Sequence, residues 1–193
     1  MTTPESKWNQ LFEALGASGK QISLVVTGGG SGAASRCFRR AGASRNFVEA
    51  VIPYSCAAVT DYLGCPASDA SASGQVAKQL ACVAFGRASR LADNESDPSD
   101  AVGISLVAAL PTMPRRRGQD RIHVALHTQQ RGVWWSLELE KDADTRESAE
   151  TIAEEMVFHA LAELVDDLTN DDLTNDDFFR DAGLDLEQAC FDT

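Results

Sequence analysis

The residues with the clearest chemical potential are consecutive: Thr27-Gly28-Gly29-Gly30-Ser31-Gly32. An apolar, β-branched run, Ile22-Ser23-Leu24-Val25-Val26, precedes them and Ala33-Ala34-Ser35-Arg36-Cys37-Phe38 follows as a helix opening, so the pattern predicts strand, glycine loop, helix. Glycine reaches positive φ without a Cβ clash and lets another group approach the backbone closely. The free N–H groups of a helix's first turn face an anion. Thr27, Gly28, Gly29, Gly30, Ser31 and Gly32 are therefore candidate binding residues for a small phosphate- or carboxylate-bearing ligand. The spacing is neither Gly-x-Gly-x-x-Gly nor a P-loop ending in Lys-Ser/Thr, and no acidic residue sits where a ribose would need one. A tight turn without a ligand is the competing reading of the same stretch.

The other reactive side chains point away from metal or disulfide chemistry. Cys37, Cys56, Cys65, Cys82 and Cys190 are odd in number, widely spaced and without a Cys-x-x-Cys pair, which argues against a disulfide framework or a zinc site and for reduced thiols. His123 and His127 fall on one face of a strand, roughly 13 Å apart, too far to share a metal alone. Arg115-Arg116-Arg117 reads as a solvated basic loop. The duplication Asp166-Asp167-Leu168-Thr169-Asn170 and Asp171-Asp172-Leu173-Thr174-Asn175 lacks the alternate ligands, central Gly and closing Glu of a calcium loop. No metal and no cofactor are expected.

The elements that must position the glycine loop follow from periodicity. Trp8, Leu11, Phe12 and Leu15 at i, i+3, i+4, i+7 predict an opening amphipathic helix that Gly16 or Gly19 ends. Phe47 to Tyr54 reads as a second strand with Pro53 at its end, and Cys56 to Leu63 as a short helix closed by Gly64. Ser73 caps a longer helix carrying Val76, Leu80, Val83, Ala84 and Leu91 on one face. Val102 to Leu110 is apolar throughout, as a strand covered on both faces must be. Ile122, Val124 and Leu126, then Val133, Trp135, Leu137 and Leu139, alternate as a hairpin joined at Gln129-Gln130-Arg131-Gly132. From Glu147 a long helix covers the sheet. The expected fold is α/β, a three-layer α/β/α sandwich with a mixed sheet, in which ligands bind at the C-terminal ends of strands. Residues 1–165 are expected to form this domain and residues 166–193 an acidic tail, from which Phe178, Phe179, Leu184 and Phe191 dock on the domain or on a partner.

The chain has 193 residues and a net charge of -12. Residues 138–193 hold 19 Asp/Glu against 3 Lys/Arg, while residues 1–137 hold 10 against 14. An acidic end repels nucleic acid and anionic lipid, so neither partner is expected there. No apolar run approaches the roughly 18 residues of a membrane span, and Met1 to Gln10 lacks a signal-peptide pattern. A cytoplasmic location is expected.

The colinear order of the glycine-rich loop, Gly42-Ala43-Ser44 with Phe47, Pro53-Tyr54-Ser55, Leu63-Gly64, Gln75, Ala77-Lys78-Gln79-Leu80-Ala81, Pro111, a Val-Ala strand and Arg146-Glu147 resembles the CinA C-terminal-domain family, which includes the bacterial nicotinamide-nucleotide amidases. The resemblance covers about residues 8–165. It implies a mixed α/β/α domain, commonly homo-oligomeric, that hydrolyses the carboxamide of nicotinamide mononucleotide without a metal. Relatives with this Thr-Gly-Gly-Gly-Ser-Gly loop include some fused to a nucleotidyltransferase domain, which the resemblance implies as a partner.

The departures bear on the chemistry. The amidases carry Ala-Glu-Ser-Cys-Thr-Gly-Gly in this loop; laid against Thr27 to Ala33, the nucleophilic serine falls on Gly29 and the glutamate before it on Gly28. Their Tyr-Ser-Asn-x-x-Lys segment falls on Tyr54 to Val59, so Tyr54 and Ser55 remain and the lysine position holds Val59. Their Thr-Gly-x-Ala-Gly-Pro loop becomes Leu106-Val107-Ala108-Ala109-Leu110-Pro111. Amide hydrolysis needs a hydroxyl, a base to take its proton and N–H donors for the oxyanion; Gly29 and Val59 supply neither of the first two. Three readings follow. In the first, a pseudoenzyme of the family binds a pyridine-nucleotide-like ligand at Thr27 to Gly32, with Tyr54 and Ser55 beside it. In the second, Ser31 and Tyr54 are catalytic residues of an active amidohydrolase. In the third, the fold survives as an oligomerisation module.

Overall fold

A computed structural model describes residues 4–68, 72–92, 97–140, 145–165 and 176–192. The duplicated acidic segment lies outside the described residues. The elements run α1 (Pro4–Ser18), β1 (Gln21–Thr27), α2 (Ser31–Phe38), β2 (Phe47–Val51), α3 (Cys56–Leu63), α4 (Gly74–Leu91), β3 (Ala101–Ala109), β4 (Arg121–His127), β5 (Gly132–Glu138), α5 (Arg146–Ala162), α6 (Asp176–Asp181) and β6 (Glu187–Phe191).

The strands form one mixed sheet in the order β2-β1-β3-β4-β5-β6. β1 pairs in parallel with β2 and β3, and β4, β5 and β6 follow antiparallel to their neighbours. Helices cover both faces, so the three-layer α/β/α sandwich expected from the sequence is the observed fold. Parallel strands need crossover connections, and here α2 carries β1 to β2 while α3 and α4 carry β2 to β3.

The two faces differ in texture because their residues differ in size. On one, α1, α2 and α5 bury Trp8, Leu11, Leu15, Cys37, Met156 and Phe158 against Ile22, Leu24, Ile104, Leu106, Val124 and Trp135. Burying each large apolar side chain contributes roughly 1.5–3 kcal/mol. On the other, α4 lays an alanine stripe, Ala77, Ala81 and Ala84, on Val25, Val107 and Ala125. A Cβ on Gly103 would stand 2.1 Å from the Ala81 carbonyl oxygen and 2.2 Å from the Phe85 nitrogen, so α4 touches β3 backbone to backbone. Ser105 Oγ donates to the Ala77 carbonyl at 2.7 Å within that contact. At the edge, Arg87 of α4 holds Glu49 of β2 through two N–H···O bonds, and that guanidinium keeps the Glu49 carboxyl below its ordinary pKa.

Residues 176–192, assigned from the sequence to an appended tail, contribute to the sheet. Phe179 is buried in the core, and β6 pairs with β5 from Gly132↔Phe191 to Ser136↔Glu187. The Phe191 ring fills the space above Gly132, where a Cβ would meet it at 2.5 Å.

Candidate functional site

The glycine loop leaves the C-terminal end of β1 and enters α2 through Gly30, which is the helix N-cap with φ 77°. Gly28 also lies at positive φ, 82°. A Cβ there would stand 1.8 Å from the Ala108 carbonyl oxygen, so both the backbone angle and the neighbouring strand require glycine. Gly29 is different. It is absent from the positive-φ glycines, yet a Cβ on it would come within 2.5 Å of Leu110 Cδ1 and 2.8 Å of Leu110 Cγ. At Gly30 a Cβ would meet Leu106 Cδ2 at 2.1 Å. Leu106 and Leu110, both buried, thus occupy the volume that side chains on the loop would need.

The loop's expected open amide is occupied from within the protein. Gly30 N–H donates to Glu150 Oε2 on α5 at 2.5 Å. Arg146, one turn earlier on α5, donates through Nε to Glu150 Oε1 at 2.8 Å, and also to the carbonyls of Pro111 and Gly28 at 3.3 and 3.4 Å. A carboxylate at a helix N-terminus is the arrangement that partial positive charge favours. A bound ligand is the sequence-based expectation for this amide; in the structure a side chain of the protein itself takes it. Sequence reasoning missed Glu150 because it lies 120 positions from Gly30 and carries no local signal.

On the other side of the loop lies a cavity of about 350 Å³. Thr27, Gly28, Val107 and Ala108, from the ends of β1 and β3, form its floor. Tyr54, Cys56, Val59 and Thr60 form one wall, and Pro66, Ala67, Ala72 and Val76 the opposite one. The structure thus gathers Thr27, Gly28 and Tyr54 at a single cavity. Val59, the residue at the position of the amidases' lysine, lines it too. Gly29 and Gly30 are buried and lie outside its lining; Ser31, which begins α2 as an exposed residue, lies outside it too. Ser55 is the N-cap of α3, its Oγ accepting from Ala58 N–H at 3.1 Å. That cap satisfies an otherwise orphaned helix donor. Tyr54 is 70% exposed, so its ring stands at the rim.

The two histidines expected as ordinary face residues lie on the α4 side of the sheet, both buried. Burial, and secondarily Arg121, pushes His123 down to about 4, so it is neutral at physiological pH. Neither of its ring nitrogens has a hydrogen-bond partner. Among the described residues, no group of three or more His, Cys, Asp or Glu side chains is arranged to hold a metal.

No protein-family model matches the sequence, and no curated protein matches it. Solved structures do. A competence-damaged protein (CinA) superfamily protein from Klebsiella pneumoniae superimposes with TM-score 0.65 at 14% identity, over 86% of this chain and 98% of that one. The Escherichia coli CinA superfamily protein gives 0.63 at 17%, over 84% and 89%. The fold is that of the CinA superfamily. A competence/damage-inducible protein from Agrobacterium tumefaciens adds a third instance at 0.58 and 19%, over 81% and 94%. The CinA fold places the loop and cavity above at the C-terminal ends of its parallel strands, where open α/β sheets carry their ligands. No helix among the described residues is long and apolar enough to cross a membrane.

Proposed function

We propose that this chain is a non-hydrolytic domain of CinA fold that binds a small ring-bearing molecule in the cavity in front of Gly28. The observation that carries the reading is Leu110. In the resembling amidases a serine stands at the position of Gly29 and a glycine at that of Leu110; here the large and small residues have changed places, and Leu110 Cδ1 would be 2.5 Å from any Cβ on Gly29. The nucleophile's volume is filled by hydrocarbon. With Val59 at the lysine position, the cavity lining holds no lysine, histidine or carboxylate to activate a hydroxyl. What remains is a cavity of ligand size, mostly apolar, with a few hydroxyls at its edges.

The hydrolytic reading through Ser31 has less support, since Ser31 is exposed and outside the cavity lining. Calorimetric titration with nicotinamide, nucleosides and their monophosphates tests the proposal, alongside an ammonia-release assay on nicotinamide mononucleotide. Saturable binding without ammonia, lost in the cavity-filling variant Ala67→Trp, is the expected result. Ammonia release abolished by Ser31→Ala would replace binding with catalysis. Flat heats with every compound would leave the oligomerisation module, whose signature is a stable homo-oligomer with no small-molecule response.

A further inference from the structure

Resting on the reading of the cavity as a ligand site, we infer that it takes an uncharged ligand, a heteroaromatic amide or nucleoside, and rejects the phosphorylated form because Glu150 already sits in the anion position of the glycine loop. A phosphate needs open amides or a cation, and the amide at the head of α2 and the guanidinium against the loop are both already engaged. The Gly30 amide is bound to the Glu150 carboxylate. The guanidinium nearest the loop, Arg146, is held by that same carboxylate and by the carbonyls of Gly28 and Pro111.

The cavity walls repeat the message. No Lys, Arg or His occurs between Arg45 and Lys78, the stretch that supplies both walls. Among the described residues lining the cavity none is ionisable as a cation; Thr27, Tyr54 and Thr60 supply hydroxyls, which donate to or accept from a neutral amide or base edge equally well. A dianion placed at the Gly30 amide would have to displace the Glu150 carboxylate from it and compete with that carboxylate for Arg146, and a second anion crowded beside the first disfavours binding.

The test is paired titration of the full chain with nicotinamide, adenosine, cytidine and the two nucleosides' 5′-monophosphates, in wild type and in Glu150→Gln. The substitution keeps a carbonyl acceptor for Gly30 N–H while removing the charge. The expected result is that at least one neutral compound binds, that its monophosphate binds at least tenfold more weakly, and that Glu150→Gln narrows the gap at least threefold. A monophosphate that binds wild type as tightly as its nucleoside overturns the charge inference and leaves the cavity reading standing. A gap unaltered in Glu150→Gln overturns the assignment to Glu150. No binding by any compound to either protein overturns the cavity reading and the inference with it. Should the variant fold poorly, salt dependence in wild type decides: screening raises monophosphate affinity if repulsion limits it and lowers it if attraction drives it.

Discussion

The exchange of volume between Gly29 and Leu110 makes a quantitative claim about coupling. Gly29→Ala introduces a methyl 2.5 Å from Leu110 Cδ1 and 2.8 Å from its Cγ, far inside van der Waals contact, at a backbone position that itself tolerates alanine. Overpacking of this kind costs about 1–3 kcal/mol, a fall in Tm of roughly 2–12 °C for a chain of this size. Leu110 is 2% exposed, and Leu110→Ala alone should cost about 2–5 kcal/mol through lost transfer energy and the cavity left behind. Combined, the methyl at 29 enters space that the missing isobutyl group vacated. The double variant should then be more stable than the sum of the single effects by at least about 1 kcal/mol, within the range seen for residues in contact. Urea unfolding followed by tryptophan fluorescence measures this, with an unchanged m-value as the sign that only stability has moved. Additivity within about 0.5 kcal/mol, or a neutral Gly29→Ala, would refute the filled-volume argument and remove the main support for a lost nucleophile.

Other outcomes can be checked in the same preparations. Gly30→Ala meets both a φ of 77° and Leu106 Cδ2 at 2.1 Å, so it should destabilise by about 2–4 kcal/mol, read by the same unfolding curves. Cys37 is buried and its thiol is pushed up to about 12, whereas Cys56, Cys65, Cys82 and Cys190 are exposed; at pH 8, mass spectrometry of the iodoacetamide-treated native protein should find Cys37 unmodified and the other cysteines labelled. His123, lowered from 6.5 to about 4 by burial, takes up a proton more readily unfolded than folded. Its contribution to stability is therefore complete above pH 6.5 and is lost as pH falls toward 4, a change on the order of 3 kcal/mol. His123→Leu should flatten the stability profile across that window, and a profile as steep as wild type would assign the slope to other groups.

Much of the fold could be read from the sequence because its cues were local. Gly64 marks the end of α3, and Ser73 the start of α4, because capping chemistry is written in single residues. The hairpin of β4 and β5 followed from strict alternation on either side of a polar link. The closing strand was not legible. β6 is only five residues, Glu187–Phe191, and mostly exposed, so it has no periodic signal and owes its place to a distant partner edge and to Phe191 over Gly132. The site divided in the same way. The need for glycine at 28 and 30 was readable from the loop, but the carboxylate that occupies it comes from α5, and no spacing rule connects Gly30 to Glu150. Leu110 was visible as a departure from the resembling family; that it fills the space over Gly29 required the tertiary packing.

The outer wall of the cavity rests on α3, a single eight-residue helix that buries none of its own residues. Such an element has little cohesion of its own to lose by lifting, so the energetic threshold for admitting a guest is set there and not by α4, which is seated on β3 too closely to shift. A guest that bridged Tyr54 and Val76 would therefore act as the missing adhesive between helix and sheet. Amide exchange across Cys56–Leu63 should slow on occupancy while that of Gly74–Leu91 stays as it was.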